Sequence, residues 1–488
     1  VLVKPASLSA PARPARPAVG VARATRGWPR ALRVVLLVLV DGLAVIAAGT
    51  AAYYLWALPI RHQRADLYLE LAPLLPVIFL ANAMWGLYPG FGAGAVETLR
   101  RLSLSSSAIF LSLAAISFAL KLEPVYSRMT FAIAWLLTLV FLPLARFGLL
   151  ALAQRWPWWG EPCAVLGTGD LAQRTIQALR SALSLGYRPV AVLGTATEGV
   201  AEISGVPILG DVDRLWEMAE RGVRVLLVAD MELTRRNELV DQLRHEFRHV
   251  IIIRDHQALP VDGLEVRNLG GVIGVEFVNQ LRRRRNRAVK RALDILLGGF
   301  LLLLTAPFLL LAAAVIGLTS RGPAFYRQER EGLFGRPFRL IKLRTMHADA
   351  EQRLAEHLAT DEEARQEWAA SRKLRADPRV ISWIGRVLRR FSLDELPQLV
   401  NVVRGEMSLV GPRPFPEYHL EDFSPSFRDL RRRVRPGLTG LWQVMAREGG
   451  IVAQEQYDAY YIRNWSLWMD LYVLGKTLAA VLGGRGAY

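Results

Sequence analysis

Residues 282–321 read RRRRNRAVKRALDILLGGFLLLLTAPFLLLAAAVIGLTSR. How this stretch meets a lipid bilayer decides the fold of everything after it. A basic run, Arg282–Arg291, leads into an apolar block, Ala292–Leu318, with Pro307 near its middle. About thirty helical residues cover roughly 45 Å, so length permits a crossing. Charge argues against one. Arg321, Arg327, Arg330 and Arg336 follow the block, so both ends are basic and both prefer the cytoplasmic face. Pro307 removes a helical hydrogen bond and kinks the chain. The economical expectation is a re-entrant helix over 289–318 that enters the bilayer, breaks at Pro307 and returns to the same face. The plain alternative is a fifth spanning helix, with all later residues outside the cell.

Upstream, the sequence is that of a membrane protein. The 488 residues are 52% hydrophobic with mean hydropathy +0.22, and most of that excess precedes residue 151. The net charge of +17 raises the question of nucleic acid. The cations cluster beside apolar blocks, however, which suits anionic lipid headgroups and argues against nucleic-acid binding. Residues 1–33 carry Lys4 and a series of arginines ending at Arg33, with no acid among much proline and alanine. They read as a basic disordered tail. Apolar runs at 34–58, 71–89, 104–120 and 130–150 predict four transmembrane helices within 34–152. Arg100, Arg101 and Arg155 would then face the cytoplasm with the tail. Asp41, near a helix end among small neighbours, reads as a structural polar contact. The single cysteine, Cys163, excludes an internal disulfide and a cysteine metal cluster, and reads as core.

Residues 160–280 change character. Short apolar runs near 164–167, 190–194, 224–229 and 250–253 alternate with helical patterns at 171–183, 211–221 and 232–246. This predicts a Rossmann-like α/β domain with a parallel sheet. Gly167-Thr-Gly169-Asp-Leu-Ala172 is similar to a dinucleotide fingerprint, but no acid ends the second strand, where Gly194 stands. The expectation is a structural or regulatory module.

Three clusters carry chemistry in 285–488. The densest is Ser392–Pro414, with Asp394 and Glu395 adjacent. On a helix they point about 100° apart and serve different tasks. Ser392 with Glu395 also fits a capping box, which is the purely structural reading. A carboxylate at a helix start stays ionised and suits a nucleophile, and its neighbour suits a divalent cation. Arg389, Arg390, Arg404 and Arg413 frame the segment, and guanidinium forks suit phosphate. Arg413, between two prolines, is the most rigidly set. The second cluster, 320–346, predicts a hairpin turning at Gly332 and Gly335, with Gln328, Arg330, Lys342 and Arg344 facing a phosphate-rich ligand. The alternative is a basic hairpin resting on the bilayer. In the third, Val434–Val444, Arg435 is placed to reach a phosphate. Residues 348–370 read as an exposed charged helix. Several tryptophans and tyrosines of 442–472 are expected at headgroup level. His347 and His419 read as incidental.

Pro323 through Met346, Ser392–Pro414, Arg435–Val444 and Tyr461–Asp470 together resemble the bacterial sugar transferases that act on polyprenyl phosphate, the monotopic phosphoglycosyl transferases. The layout is similar to the long form typified by undecaprenyl-phosphate galactose phosphotransferases. The resemblance implies an α/β membrane protein with a four-helix transmembrane region, a central α/β domain and a C-terminal catalytic domain with a re-entrant helix. It implies that Asp394 attacks a UDP-sugar, galactose or glucose favoured, releasing UMP and forming a covalent sugar-phosphate. Undecaprenyl phosphate then takes the sugar-phosphate. Glu395 would hold Mg2+, and Arg413 phosphate, with Lys342, Arg344 and Arg390 beside it. The product would begin capsule, exopolysaccharide or O-antigen synthesis at the bacterial inner membrane, with the catalytic domain cytoplasmic and a homodimer expected. Met445-Ala-Arg-Glu-Gly-Gly450 departs from the common pattern and bears on sugar choice. The alternative is a non-enzymatic membrane scaffold or regulator of polysaccharide assembly, which needs no paired carboxylates.

Overall fold

The computed structural model describes residues 28–482, apart from 70–74, 120–126, 154, 157, 182–184, 195–200, 211–213, 230–242, 244–246, 254–263, 269–272, 278–279, 321, 348, 372–373, 375–377 and 447–448. The chain divides into two compact units, Val1–Gln257 and Ala258–Tyr488.

The first unit opens with apolar helices: α1 (Trp28–Ala52, continued to Arg61 through a π-turn), α2 (Leu75–Met84), α3 (Ala95–Ala119) and α4 (Arg128–Ala153). Among the described residues, four helices are long and apolar enough to cross a membrane: Arg30–Arg61, α3, α4 and one in the second unit. This is a membrane protein. The expected second span, 71–89, is corrected. Its start lies partly outside the described residues, and α2 stops at Met84 because Gly86 and Gly90 take positive φ. The expected disordered tail is also corrected at its end, since helix begins at Trp28. Arg33 is buried there and pairs with Glu161 at 2.9 Å. Arg100 and Arg101 lie on α3, both paired with Glu97, rather than in a loop. Asp41 makes the polar contact expected of it. Buried, it accepts from Arg146 Nε at 3.0 Å, from Asn82 and from Tyr88.

The α/β module follows: β1 (Glu161–Leu166), α5 (Asp170–Ser181), β2 (Tyr187–Leu193), α6 (Leu215–Glu220), β3 (Val225–Val228) and β4 (His249–Ile252). The sheet is parallel, in the order β2-β1-β3-β4. Alternate residues of β1 enter separate cores. Ala164 and Leu166 face Leu215 and Met218, while Cys163 and Val165 face Ala172 and Ile176. A sheet buried on both faces reads as the continuous apolar runs seen in the sequence. The helix expected over 232–246 lies largely outside the described residues.

The second unit begins earlier than expected, before an antiparallel pair, β5 (Leu264–Asn268) and β6 (Ile273–Phe277). Helix α7 (Arg284–Thr319) then runs for 36 residues, about 54 Å if straight. Helical conformation continues through Pro307, so a change of direction there is a kink within the helix and not a gap in it. Its first half packs where Gly298 lets it approach Val402, since an added Cβ would lie 3.1 Å from that side chain. Asp294 accepts there from Ser408 Oγ and the Leu409 N–H, both at 2.9 Å. Its second half buries Leu309, Ala312 and Ile316 against Leu343, Ile381, Ile384 and Leu388. Between and around these contacts, Phe300, Leu303, Leu304, Leu310 and Leu311 stay exposed.

The rest is a compact α/β body. It comprises β7 (Phe325–Glu331), β8 (Pro337–Leu343), α8 (Ala350–Thr360), α9 (Glu362–Ser371), α10 (Ser382–Arg390), α11 (Gln398–Arg404), β9 (Ser408–Val410), α12 (Pro425–Arg431), β10 (Gly437–Thr439), α13 (Gly450–Arg463) and α14 (Leu467–Leu482). The expected charged helix is present as α8 and α9, divided at Asp361. The aromatics placed at headgroup level are corrected in part. Tyr461 is 1% and Trp465 4% exposed, because their polar tips bond Asp470 inside the core.

Candidate active site

Strands β7 and β8 form the expected hairpin, with Gln328 opposite Leu340 and Tyr326 opposite Lys342. Leu340 and Lys342, two residues apart, share one face of β8. Asn401 on α11 fixes this strand. Its side chain donates to Arg339 O at 2.8 Å and accepts from the Ile341 N–H at 3.1 Å. The carboxylates come from the other end of α11. Ser392 takes φ +52° and turns the chain out of α10 into one 3₁₀ turn, Leu393–Glu395. Asp394 and Glu395 therefore sit on a tight turn just before α11, with Pro397 at its cap. Ser392 makes no side-chain cap, so the capping-box reading fails.

Glu395 is instead gripped from two sides. Its Oε1 accepts from Lys342 Nζ at 2.9 Å and from Arg413 Nη2 at 3.0 Å. Burial pushes this carboxyl up, but Arg413 and Lys342 more than offset that and hold it at about 2. Asp394 goes the other way. Burial and then the charge of Glu395 raise it, against a weaker downward pull from Lys342 and Arg389. Among the described residues its half-buried carboxylate has no ion pair. Two adjacent carboxyls are thus driven apart in acidity, one a fixed anion and the other more basic than usual. Burial and the neighbouring charge therefore act on Asp394 against the seven-residue helix that follows it, which raises its carboxyl above the ordinary aspartate value.

The cleft beside them is about 290 Å³, including space open to solvent, and is lined by Arg330, Lys342, Glu395, Gln398, Arg413 and Pro414. Arg330 Nη2 bonds Gln328 at 2.6 Å, and burial, then Arg413, lowers its guanidinium. Gly411 delivers Arg413 to this place. A Cβ there would lie 2.6 Å from Arg435 O, so only glycine lets the two segments cross.

Of the residues singled out in the sequence, Asp394, Glu395, Lys342 and Arg413 come together. Arg344, Arg390 and Arg435 are not brought to the carboxylates with them. Arg344 is buried and donates to Ser320 O and Gly322 O, both at 3.1 Å, at the end of α7. Arg435 Nε donates to Gly405 O at 2.8 Å, at the end of α11. Arg390 is exposed and lies over the Phe391 ring. Gln398 and Asn401 were missed, although both fall within the densest motif. Arg330 was visible there as one of several basic hairpin residues.

Among the described residues, no three His, Cys, Asp or Glu converge as a metal cage. The donor set fits a different kind of site. Both cations fall on Glu395 Oε1, which leaves Oε2 and the Asp394 carboxylate for a hard cation shared with substrate phosphates.

Comparison with known proteins places the segment that carries this site within a known family. The bacterial sugar transferase family model matches residues 285–484. A second model, described as a CoA-binding domain, matches 84–253. The UDP-galactose-lipid carrier transferase of Erwinia amylovora is 34% identical over 368 residues, 74% of this chain and 76% of that one. The undecaprenyl-phosphate galactose phosphotransferase of Salmonella typhimurium is 33% identical over 369 residues, covering 74% and 77%. A UDP-glucose:undecaprenyl-phosphate glucose-1-phosphate transferase of Caulobacter vibrioides is 44% identical over 207 residues, 41% of this chain and 72% of that one. With Glu395 in a basic cleft beside Asp394 and a likeness that runs through both units, this chain belongs to the bacterial sugar transferase family.

Proposed function

We propose that this protein transfers hexose 1-phosphate from a UDP-sugar to undecaprenyl phosphate. The observation that carries the reading is the split pair. Glu395 is pinned by Lys342 and Arg413, while Asp394 beside it has no ion pair among the described residues. An Asp394 oxygen attacks the β-phosphorus, the bond to the bridging oxygen breaks, and UMP leaves. The sugar-phosphate stays on Asp394 as an acyl phosphate. A phosphate oxygen of undecaprenyl phosphate then attacks the same phosphorus, and the Asp394 carboxylate leaves. Lys342, Arg413 and Arg330 hold the phosphate oxygens. Mg2+ held by Glu395 Oε2 would add charge neutralisation on those oxygens. Galactose and glucose are the favoured sugars, as in the names of the relatives, and the product would begin a surface polysaccharide. The test is a panel of UDP-sugars with purified protein and undecaprenyl phosphate. UMP release is expected with UDP-galactose or UDP-glucose and is lost with EDTA. A chain that releases UMP from none of them is not this transferase.

The same reading places the catalytic unit at the cytoplasmic face of the inner membrane, with α7 re-entrant and the parallel-sheet module Rossmann-like. Two features support the re-entrant helix. Both ends of the apolar block are basic, and both halves of α7 pack on the core of one compact unit while its middle stays apolar and exposed. Single cysteines at Arg285→Cys and Pro323→Cys, with Cys163→Ala, are expected to react with an impermeant maleimide from the same side. Position 322 is unsuitable, because Gly322 has φ +112° and packs on Arg344. Labelling from opposite sides would show a crossing helix instead.

A further inference from the structure

Arg413 reaches Glu395 with its side chain, but its backbone is held from behind. Arg431, in the last turn of α12, donates from Nη2 to Arg413 O at 2.9 Å. Arg431 is 5% exposed and does not line the cleft. Its guanidinium lies 5.4 Å from the ring centroids of both Phe415 and Phe423. Two acids face it. Glu331 Oε2 is 3.7 Å from its Nε, and Asp458 of α13, 1% exposed, acts on its charge from the interior. Arg432 engages the other oxygen of Glu331. Burying a guanidinium is expensive unless charge partners and ring faces offset it, and here both are present. So heavily constrained a group makes one contact toward the reaction, the carbonyl of the residue that grips Glu395.

We infer that Arg431 is a positioning residue for the transfer proposed above, fixing the Arg413 peptide so that its guanidinium stays in register with the transferred phosphate. The step depends on geometry. Displacement of a phosphate-holding group by about 1 Å costs roughly a hundredfold in rate. A lysine at 431 keeps the charge but lacks the planar fork that spans the carbonyl, both rings and the acids.

The inference rests on the transferase reading, and a double-mutant cycle separates the two. Full-length wild type, Arg431→Lys, Arg413→Ala and the double variant are assayed for UMP release, with thermal unfolding measured alongside. Arg431→Lys is expected to lower kcat/KM about tenfold, mainly through kcat, with folding retained. In the Arg413→Ala background the same change is expected to cost less than about twofold, because the carbonyl is still held but the guanidinium it positions is gone. Equal losses in both backgrounds, or none in the first, overturn the positioning role while leaving the transferase intact. Wild type that releases no UMP overturns both. If Arg431→Lys does not fold, Arg431→Gln, which removes the guanidinium but keeps a side-chain donor, enters the same cycle with the same non-additivity expected.

Discussion

Asp394→Asn is expected to lower UMP release by at least about a thousandfold while leaving the protein as stable as before. The substitution is isosteric and removes only the oxygen that attacks. No ion pair is lost among the described residues, since Asp394 has none. The sign of the electrostatics makes stability a useful control. Burial and the Glu395 charge raise the Asp394 carboxyl in the folded state. Its ionised form therefore subtracts from stability above the ordinary carboxylate range, and asparagine removes that penalty. Glu395→Gln should behave oppositely. Its folded value of about 2, against 4.5 for a free glutamate, means it contributes stability fully above about pH 4.5 that is lost as pH falls toward 2. The pH–rate profile should separate them again. Attack needs the Asp394 carboxylate, so the acid limb lies above 3.8 and belongs to Asp394. Glu395→Gln should shift that limb downward, because one charge that raises Asp394 is gone. Intact-mass measurement with a UDP-sugar alone should find the covalent adduct on wild type and not on Asp394→Asn. A variant retaining a tenth of wild-type turnover would mean another group attacks.

What the sequence revealed about the site depended on which atoms compete for a guanidinium. Arg413 was legible because its carboxylate partner Glu395 stood in the same motif; Lys342 lay in the separate hairpin cluster, and the fold brings both onto one oxygen. Arg344 and Arg435 looked equally suited to phosphate. Each instead sits on carbonyls at the end of a helix, α7 for one and α11 for the other. The unpaired carbonyls of a helix C-terminus attract a cation much as a phosphate does, and residue type alone does not distinguish the two. Hydropathy had a similar blind spot at 71–89, where Trp85-Gly-Leu-Tyr-Pro-Gly90 is apolar on average but carries two glycines that turn the chain. The parallel sheet was legible because strands buried on both faces leave an unmistakable apolar run, as Cys163–Leu166 does. Asn401 was not. Its importance lies in bonds to the backbone of a strand some sixty residues earlier in the chain, and local pattern carries no trace of that.

Asp470→Leu is expected to destabilise the catalytic unit by about 3–5 kcal/mol, a large part of the roughly 5–15 kcal/mol that holds a typical domain together. Asp470 bonds Lys290 Nζ at 2.7 Å, Tyr461 OH at 2.7 Å and Trp465 Nε1 at 3.1 Å. Lys290 also donates to Val410 O at 3.1 Å, and the single Tyr461 hydroxyl proton is shared between Asp470 and that carbonyl, 3.0 Å away. Removing the carboxylate strands a half-buried ammonium among groups that cannot neutralise it. Lys290→Met leaves the carboxylate with only the Tyr461 and Trp465 donors and should also destabilise. The double variant Lys290→Met/Asp470→Leu removes both charges, so its loss should be clearly smaller than the sum of the singles, read from thermal unfolding in detergent. Additive losses would mean that the pair is not coupled and that α7 is held by apolar packing alone. The position of the network gives this a functional consequence. Lys290 belongs to the membrane-facing helix, and Val410 is followed at once by Gly411, Pro412 and Arg413. The same carbonyl that anchors the helix therefore stands three residues from the arginine that grips Glu395, and activity in the single variants should fall before unfolding is complete.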